Sequence, residues 1–501
     1  MLPAKTILNK IQEIIWPIEK EELKLFLPMA LMMLCILFNF GALRSIKDAL
    51  VVPSMGAEVI SFLKLWLVLP SCIIFTILYV KLSNKFNFEY IFYIIVSCFL
   101  LFFLIFAYVI FPNQDFYHPN PELINRLILS YPNFQWFIKI ASKWSYAVMY
   151  IFSELWSAVV INLMFWQFAN HIFDTSNAKR FYPVLGMVGN VGLILAGNVL
   201  VAFSQVKEVI DFDLLPTSFT PEYQSEAMLK PVMSIIVIAG ITAMILFRVI
   251  NRFILTDATH TLDLKKVKAK TKTSLSVMDS LKLIIKSKYI GRIALLIICY
   301  GLLINIVEGP WKAKVKELYP NTIDYVHFMG KFNIWMGLSC VTFMVIGSNI
   351  LRRLSWLIAA LLTPLMLFIT GFLFFIFIIF LDEIGAAVEN INLLYAAVLV
   401  GGIQNILSKS AKYSLFDSTK EMAYIPLSLE LRTKGKAAVE VIGTKFGKSL
   451  GAFTQSLIFI IIPSATFDSI IFYLLIVFIV IVAVWLWDIV KLNQEYIKLC
   501  K

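Results

Sequence analysis

The chain has 501 residues, of which 60% are hydrophobic and 15% charged, and its formal net charge is +12. About a quarter of the residues in a soluble protein are charged, so the composition excludes an ordinary soluble domain and favours an all-α polytopic membrane protein. None of the six cysteines forms a Cys-x-x-Cys pair and the four histidines lack ligand spacing, which argues against a metal centre or a disulfide framework.

Apolar runs of about 20 residues recur along the whole chain, as expected of helices that cross a lipid bilayer. The tenth run is short for a span, so we expect its helix to continue into the polar residues after it. The hydropathy pattern predicts twelve spans, at 26–50, 57–80, 89–112, 144–168, 182–204, 231–251, 290–311, 326–350, 356–381, 393–408, 437–462 and 469–490.

The positions of Lys and Arg predict the orientation of these spans. An even number of spans puts both termini on one side of the membrane. If that side is the cytoplasm, its segments hold about thirty of the 44 basic residues, many of them in the loop from Arg248 to Arg292. The positive charge is therefore a topology signal. We expect both termini in the cytoplasm and no nucleic-acid partner.

One short pattern occurs twice, each time just after an apolar run. Phe173-Asp174-Thr175-Ser176 is followed by Pro183, and Phe416-Asp417-Ser418-Thr419 is followed by Pro426, ten residues after the Phe in both copies. Such an echo indicates two homologous halves.

The repeat predicts a six-plus-six plan of the major facilitator kind. We expect an N-terminal six-helix bundle at 1–251, a cytoplasmic basic linker at 252–289 and a C-terminal six-helix bundle at 290–501. The loop 113–143 is about 20 residues longer than its counterpart 382–392, and we expect it to form a short surface structure.

Charged residues inside the predicted spans are the first candidates for a functional site, because a charge at bilayer depth is costly unless it faces a cavity or a partner. Cations outnumber anions among them and come from both halves, which favours a polyanionic substrate with phosphate groups. These residues are Arg44, Lys47, Asp48, Lys64, Glu154, Glu308, Lys312, Lys314, Lys331, Lys445 and Lys448.

Less specific interpretations stay open for these charges. Arg44, Lys47 and Lys314 could lie near an interface and extend their charged ends to water, and Lys331 fits that description best. Glu154 and Glu308 could form structural pairs with lysines, or carry protons. Several tryptophans are candidates for stacking on a nucleobase, namely Trp66, Trp156, Trp166 and Trp311.

Gly447-Lys448-Ser449 superficially suggests a phosphate-binding loop. Its nearest upstream glycine, Gly443, is one residue too close for the Walker pattern, and the context is a membrane helix instead of a strand followed by a helix. We therefore reject an ATPase, and we expect these glycines to allow close helix packing. The sequence has no nucleophile–base pair, so we do not expect an enzyme.

The chain closely resembles the ATP:ADP antiporter family, the nucleotide transporters of obligate intracellular bacteria and plastids, and most of all its rickettsial branch. The resemblance runs nearly end to end. The motifs that carry it are LRSIKD (43–48), SELW (153–156), FWQFAN (165–170), AKRFY (178–182), NIVEGPWKAKVKELYP (305–320), QNILSKSAKYSLFDSTKEMAYIPL (404–427) and GKAAVEVIGTKFGKS (435–449).

The resemblance implies exchange of host ATP for bacterial ADP across the bacterial inner membrane, without a cofactor. The family's critical charged positions fall on Lys47, Glu154, Glu308 and Lys448. Paralogues of the rickettsial branch differ in substrate, and some carry guanine or pyrimidine nucleotides, or NAD, so the resemblance leaves the base open. Phosphate is a further candidate substrate.

From these observations we predict a monomeric antiporter with a cationic cavity near mid-membrane. Lys47, Lys448, Arg44 and Lys312 are predicted to bind phosphates, while Glu154 and Glu308 hold those cations when the site is empty or gate the two halves. The alternatives are a paralogue that imports GTP/GDP, CTP or UTP, a proton-coupled net importer that uses Glu154 or Glu308, and a receptor that does not transport.

Overall fold

A computed structural model describes residues 18–173, 175–205, 221–254, 287–381, 383–384, 392–427, 439, 447 and 449–500. Over these residues the chain is helical and contains no strand. Helices are the expected solution for apolar runs of this length, because a helix satisfies its own backbone hydrogen bonds where no water is available.

Eleven helices in the described part of the chain are long and apolar enough to cross a membrane. Three short helices in the segment 113–143 and one shorter apolar helix near the C-terminus complete the set. In chain order they are α1 (Leu23–Met55), α2 (Val59–Ser83), α3 (Phe88–Ile110), α4 (Gln114–Tyr117), α5 (Pro121–Ser130), α6 (Gln135–Ser142), α7 (Trp144–Ile172), α8 (Thr175–Ser204), α9 (Gln224–Ile254), α10 (Lys288–Leu318), α11 (Thr322–Arg353), α12 (Trp356–Ile379), α13 (Leu393–Tyr424), α14 (Ser449–Ile461) and α15 (Phe467–Cys500).

The predicted spans and the observed helices agree closely, with the helices generally longer. The prediction that the tenth helix continues into the polar stretch is confirmed, since α13 extends to Tyr424. The predicted span 437–462 corresponds to α14, and most of its first part lies outside the described residues.

Helices from the two halves of the chain pack closely against each other. α8 lies against both α1 and α11, and α10 is the most enclosed of the candidate spans. At one crossing of α8 and α11, a Cβ on Gly197 would come within 2.5 Å of the Gly330 carbonyl oxygen. Small residues therefore allow the close contact, as expected for membrane helices.

α10 passes through Gly309 and Pro310 as one helix. A side chain at Gly309 would collide with the ring of Phe467 on α15, at 2.5 Å from its nearest atom. The glycine therefore has a packing function next to Glu308, the preceding residue.

The two copies of the Phe-Asp pattern differ in structure. The first lies at the joint between α7 and α8, and its Asp174 is outside the described residues. The second continues α13 through a π-helical turn at Lys412–Phe416, and Asp417 pairs with Lys412 at 3.0 Å. The second copy therefore lies inside a continuous helix, whereas the first lies where one helix ends and the next begins.

The insert 113–143 forms three short helices, α4 to α6, joined by a 3-10 turn, as the prediction of a short surface structure requires. Asn120 caps α5 by accepting the backbone N–H of Glu122 at 2.9 Å, and Pro121 occupies its first turn. Most of the insert is exposed, but Trp136 is buried.

Candidate functional site

Eight charged side chains from five helices meet inside the molecule. We call them the charge cluster, and it contains five cations and three carboxylates, a surplus of two positive charges when all are ionised. Its members are Arg44, Lys47 and Asp48 of α1, Lys64 of α2, Glu154 of α7, Glu308 and Lys312 of α10, and Lys409 of α13.

Glu308 is the centre of one part of the cluster. Its carboxylate lies 3.1 Å from Arg44 and 3.2 Å from Lys64, both from the first half of the chain. Lys409 and Lys312 approach it at 3.4 and 3.5 Å from the second half. One carboxylate thus gathers four cations, which is more positive charge than it can neutralise.

Lys47 is the centre of the other part. Its ammonium group lies 2.9 Å from Glu154 and 3.0 Å from Asp48, and 3.7 Å from the centre of the Tyr150 ring. Lys47 is 3% exposed. A buried ammonium group is stabilised by two carboxylates and by the negative face of an aromatic ring, which together offset its loss of hydration.

Asp48 and Lys312 join the two parts, with 2.8 Å between the carboxylate oxygen and the ammonium nitrogen. Both residues are almost completely buried. Three of the closest pairs, Asp48–Lys312, Arg44–Glu308 and Lys64–Glu308, therefore connect the first half of the chain to the second.

The structure brings together five of the six predicted site residues. Arg44, Lys47, Glu154, Glu308 and Lys312 all belong to the charge cluster. The sixth, Lys448, lies outside the described residues, as does Lys445.

Sequence reasoning did not place Lys409 in the site, because it follows a run too short to span a membrane. The expected continuation of that helix was the signal that could have found it. Asp48 and Lys64 were recognised as embedded charges but were left out of the predicted site. Lys314 lies elsewhere, paired with Glu317 and Asp468 near the end of α10.

Two of the four tryptophans considered for base stacking have structural contacts instead. Trp156 and Trp311 are fully buried, and their indole N–H groups donate to the carbonyls of Ile36 at 3.2 Å and Val398 at 3.0 Å. Trp66 is exposed and packs edge-on against Phe137.

A polar shell surrounds Glu308 on the side of α2 and α14. Lys64 donates to the side-chain oxygen of Asn305 at 2.8 Å, and Gln455 donates to the Asn305 carbonyl at 3.1 Å. The Ser61 hydroxyl donates to Gln455 at 2.7 Å. These bonds connect α2, α10 and α14 directly beside the charge cluster.

The insert 113–143 contacts the second half of the chain. The Asn133 side chain donates to the carbonyl of Ile460 at 2.8 Å, and Gln135 donates to that of Pro463. Trp136 packs between Phe62 and Phe459, with ring centres 6.4 and 6.0 Å away. The insert therefore provides a second set of contacts between the two halves, separate from the charge cluster.

The insert also carries a histidine with an altered pKa. Burial, and to a lesser degree the ammonium group of Lys143, lowers the pKa of His118 to about 4. Its Nε2 lies 2.7 Å from the hydroxyl of Ser145. At neutral pH this ring is uncharged. No group of three His, Cys, Asp or Glu side chains in the described ranges is arranged to hold a metal ion.

Solved transporters share this architecture. A bacterial homologue of the iron transporter ferroportin, in an inward-facing state, matches with a TM-score of 0.58 and 15% identity, over 94% of this chain and 98% of that one. A point mutant of the nucleoside transporter NupG matches with a TM-score of 0.52 and 12% identity, over 95% and 100%. At these identities the likeness establishes the fold, which is that of major facilitator-like transporters.

Relatives of known name match along the entire chain. "ADP,ATP carrier protein 3" of Rickettsia felis is 79% identical over 501 residues and that of Rickettsia prowazekii 77%, each covering all of both chains. "ADP,ATP carrier protein 1" of Rickettsia bellii is 48% identical, covering 98% of this chain and 96% of its own.

The family model described as "TLC ATP/ADP transporter" matches residues 3–496. Together with relatives that are nearly four-fifths identical from end to end, this match confirms the resemblance seen in the motifs. The chain is a multi-pass membrane protein, and it belongs to the TLC ATP/ADP transporter family.

Proposed function

We propose that this protein exchanges external ATP for internal ADP by alternating access, with the charge cluster as the binding site for the nucleotide phosphates. The observation that carries the proposal is the surplus of cations around Glu308, contributed by both halves of the chain. Phosphate oxygens are natural partners for Lys and Arg. The relatives that are 77–79% identical are named as ADP,ATP carriers, and on that basis we propose adenine nucleotides as the substrates.

The proposed topology has both termini in the cytoplasm, two six-helix bundles at 1–251 and 290–501, and a basic linker at 252–289 between them. The excess of Lys and Arg in the corresponding loops supports this orientation. It puts the insert 113–143 on the external face.

Exchange without net loss of nucleotide follows from the ion pairs that cross between the halves. When the site is empty, Glu308 holds Arg44 and Lys64 of the first half, and Asp48 holds Lys312 of the second. Reorientation would have to separate these buried pairs, which is costly at low dielectric. A bound polyphosphate supplies alternative partners for the cations, so the loaded protein can reorient while the empty one cannot.

In this mechanism Lys47, Arg44 and Lys312 bind phosphates, and Lys448 is proposed to join them from its position on the eleventh predicted span. Glu154 and Glu308 hold the cations between transport cycles. The energy comes from the nucleotide gradients, and no phosphate bond is broken.

The test is uptake of labelled ATP by cells that express this chain, with or without preloaded ADP. The proposal predicts uptake that requires internal ADP and that unlabelled ATP and ADP block better than GTP, CTP or UTP. Efflux of preloaded nucleotide into medium lacking a counter-substrate, at the exchange rate, would contradict it. Uptake driven by a pH gradient alone would indicate a proton-coupled importer.

A matched pair of variants ties transport to the cluster. Lys312 and Lys314 lie two residues apart on α10, but only Lys312 contacts Asp48 and Glu308. Lys312→Gln is expected to abolish exchange, whereas Lys314→Gln keeps most of it. Equal loss in both variants would speak against the cluster as the phosphate site.

A further inference from the structure

A small cavity opens beside Glu308, between α2, α10 and α14. It has room for about one water molecule in this conformation. Its polar lining consists of Ser61, Lys64, Asn305, Glu308, Lys312 and Gln455.

The cavity is built from both halves of the chain. Ser61 and Lys64 come from α2, and they donate to Gln455 of α14 and Asn305 of α10 at 2.7 and 2.8 Å. These polar groups converge on one point next to Glu308, and two ammonium groups, those of Lys64 and Lys312, border it.

Lys64 is the cation of Glu308 that can change partners at the lowest cost. Its side chain is 19% exposed, compared with 12% for Arg44, 11% for Lys409 and 2% for Lys312. If Lys64 moves to another anion, Glu308 still has three cations and is not left unpaired.

The remaining walls of the cavity are apolar. Ile60, Ala452 and Phe467 line the apolar side, and Phe467 is held against the backbone of Gly309. The ammonium groups of Lys64 and Lys312 favour a small anion that accepts several hydrogen bonds, such as a phosphate group, and the cavity has to widen to admit it.

The charged groups lie in an alternating line from Lys47 through Asp48, Lys312 and Glu308 to Lys64. We propose that Lys64, with Ser61, Asn305 and Gln455, forms the subsite for the terminal phosphate, so that this corner of the site distinguishes a nucleoside triphosphate from a diphosphate. The inference rests on the proposed function, because it assumes that the inner phosphates lie nearer to Lys47 and Lys312.

The experiment compares Lys64→Gln with the wild-type protein in exchange of labelled ADP, with ATP, ADP, AMP and inorganic phosphate as competitors. Loss of one charge-assisted contact predicts an inhibition constant for ATP raised about ten-fold or more, with that for ADP changed less than about three-fold. Lys64→Arg should restore the selectivity. Lys81→Gln, an exposed position on the same helix, is the matched control.

Gln455→Glu is a second variant, which places an anion in the subsite without removing Lys64. This variant should also weaken the binding of ATP more than the binding of ADP. If inorganic phosphate competes with wild-type protein and loses that effect in Lys64→Gln, the subsite binds free phosphate as well as the nucleotide's. The inference would be overturned if the binding of ATP, ADP and AMP were weakened equally, or if none of their inhibition constants changed.

Failure of the proposed function has a different signature. If the wild-type protein exchanges neither ATP nor ADP, that function is wrong, and the subsite is then tested on purified protein by thermal stabilisation with tripolyphosphate. A smaller stabilisation of Lys64→Gln than of wild type supports the subsite, and equal stabilisation contradicts it.

Discussion

The two centres of the charge cluster are opposite in composition. At Lys47, one cation meets two carboxylates and an aromatic face. At Glu308, one carboxylate meets four cations. The first centre therefore has more negative than positive charge, whereas the second has more positive charge than its carboxylate can neutralise.

This difference separates two tasks that a phosphate site must perform. Lys47 is held in a fixed place by partners that more than balance its charge, so it can position a substrate. The cations around Glu308 have it as their common partner, and of the four Lys312 also pairs with Asp48. They can therefore be transferred to a polyanion, and Glu308 takes the place of that polyanion in the empty site. The predictions below test this division, beginning with the largest expected effect.

Glu308→Gln should have the most severe consequences, because it leaves four cations close together without their common carboxylate. Breaking a buried ion pair costs roughly 3–5 kcal/mol of unfolding free energy, and we also expect exchange to disappear. Thermal unfolding of purified protein and ATP–ADP exchange would measure the two effects.

Glu317→Gln is the control for that experiment, since its carboxylate lies on the same helix with a half-exposed side chain. Exposed pairs contribute about 0–1 kcal/mol. A Glu308→Gln protein as stable as this control would show that the four cations do not depend on Glu308.

Lys47→Gln should affect transport more than stability. Asp48 keeps Lys312 as a partner at 2.8 Å, and Glu154 is partly exposed, so we expect a loss of about 1–3 kcal/mol in unfolding free energy. Exchange should fall at least ten-fold. Lys24→Gln, exposed on the same helix, is the control, and a greater loss of stability than in Glu308→Gln would reverse the comparison.

A third test measures how much the insert 113–143 contributes, in addition to the charge cluster, to holding the two halves together. Asn133→Ala with Gln135→Ala removes two bonds to the second half, worth about 1–3 kcal/mol together. With the proposed orientation, the externally open state becomes more populated. The apparent KM for external ATP should fall several-fold while that for internal ADP rises.

Asn113→Ala provides the matched change, because Asn113 bonds only locally to the Val109 carbonyl among the contacts described. If the double variant and this control have the same KM values on both faces, the insert does not contribute to closure, and the ion pairs of the cluster account for it.

The smallest effect is expected from pH through His118. Its pKa of about 4 lies below the usual value near 6.5, so the folded protein favours the neutral ring. The associated stability is fully present above pH 6.5 and is lost as pH falls towards 4. His118→Gln should reduce this decline in unfolding temperature, while exchange at pH 6.5–8 is unchanged. An equal decline in the variant would assign it to other groups.

Hydropathy was enough to locate the helices, because a bilayer requires about 20 apolar residues per span. It failed where the helix is polar, at Lys409 on α13, since no apolar run marks that part of the helix. The short predicted span before Lys409 was an indirect sign, because it led us to expect the helix to continue, and the helix does extend to Tyr424.

The sequence could predict which residues belong to the site, but it could not predict how they pair. Arg44, Lys47 and Glu308 were expected in the site because embedded charges are costly. That Asp48 would bridge to Lys312, or that Lys64 would reach both Asn305 and Glu308, depends on which helices are neighbours. Hydrophobicity along a single chain does not contain that information.

The contacts of the insert 113–143 make the two faces of the exchanger thermodynamically unequal. They stabilise one orientation from outside the charge cluster, so they decrease the fraction of molecules open on the insert's side. Apparent affinity on that side decreases in proportion to the fraction, while affinity on the opposite side does not. A segment outside the charge cluster thereby sets the ratio of nucleotide concentrations at which both faces are equally occupied.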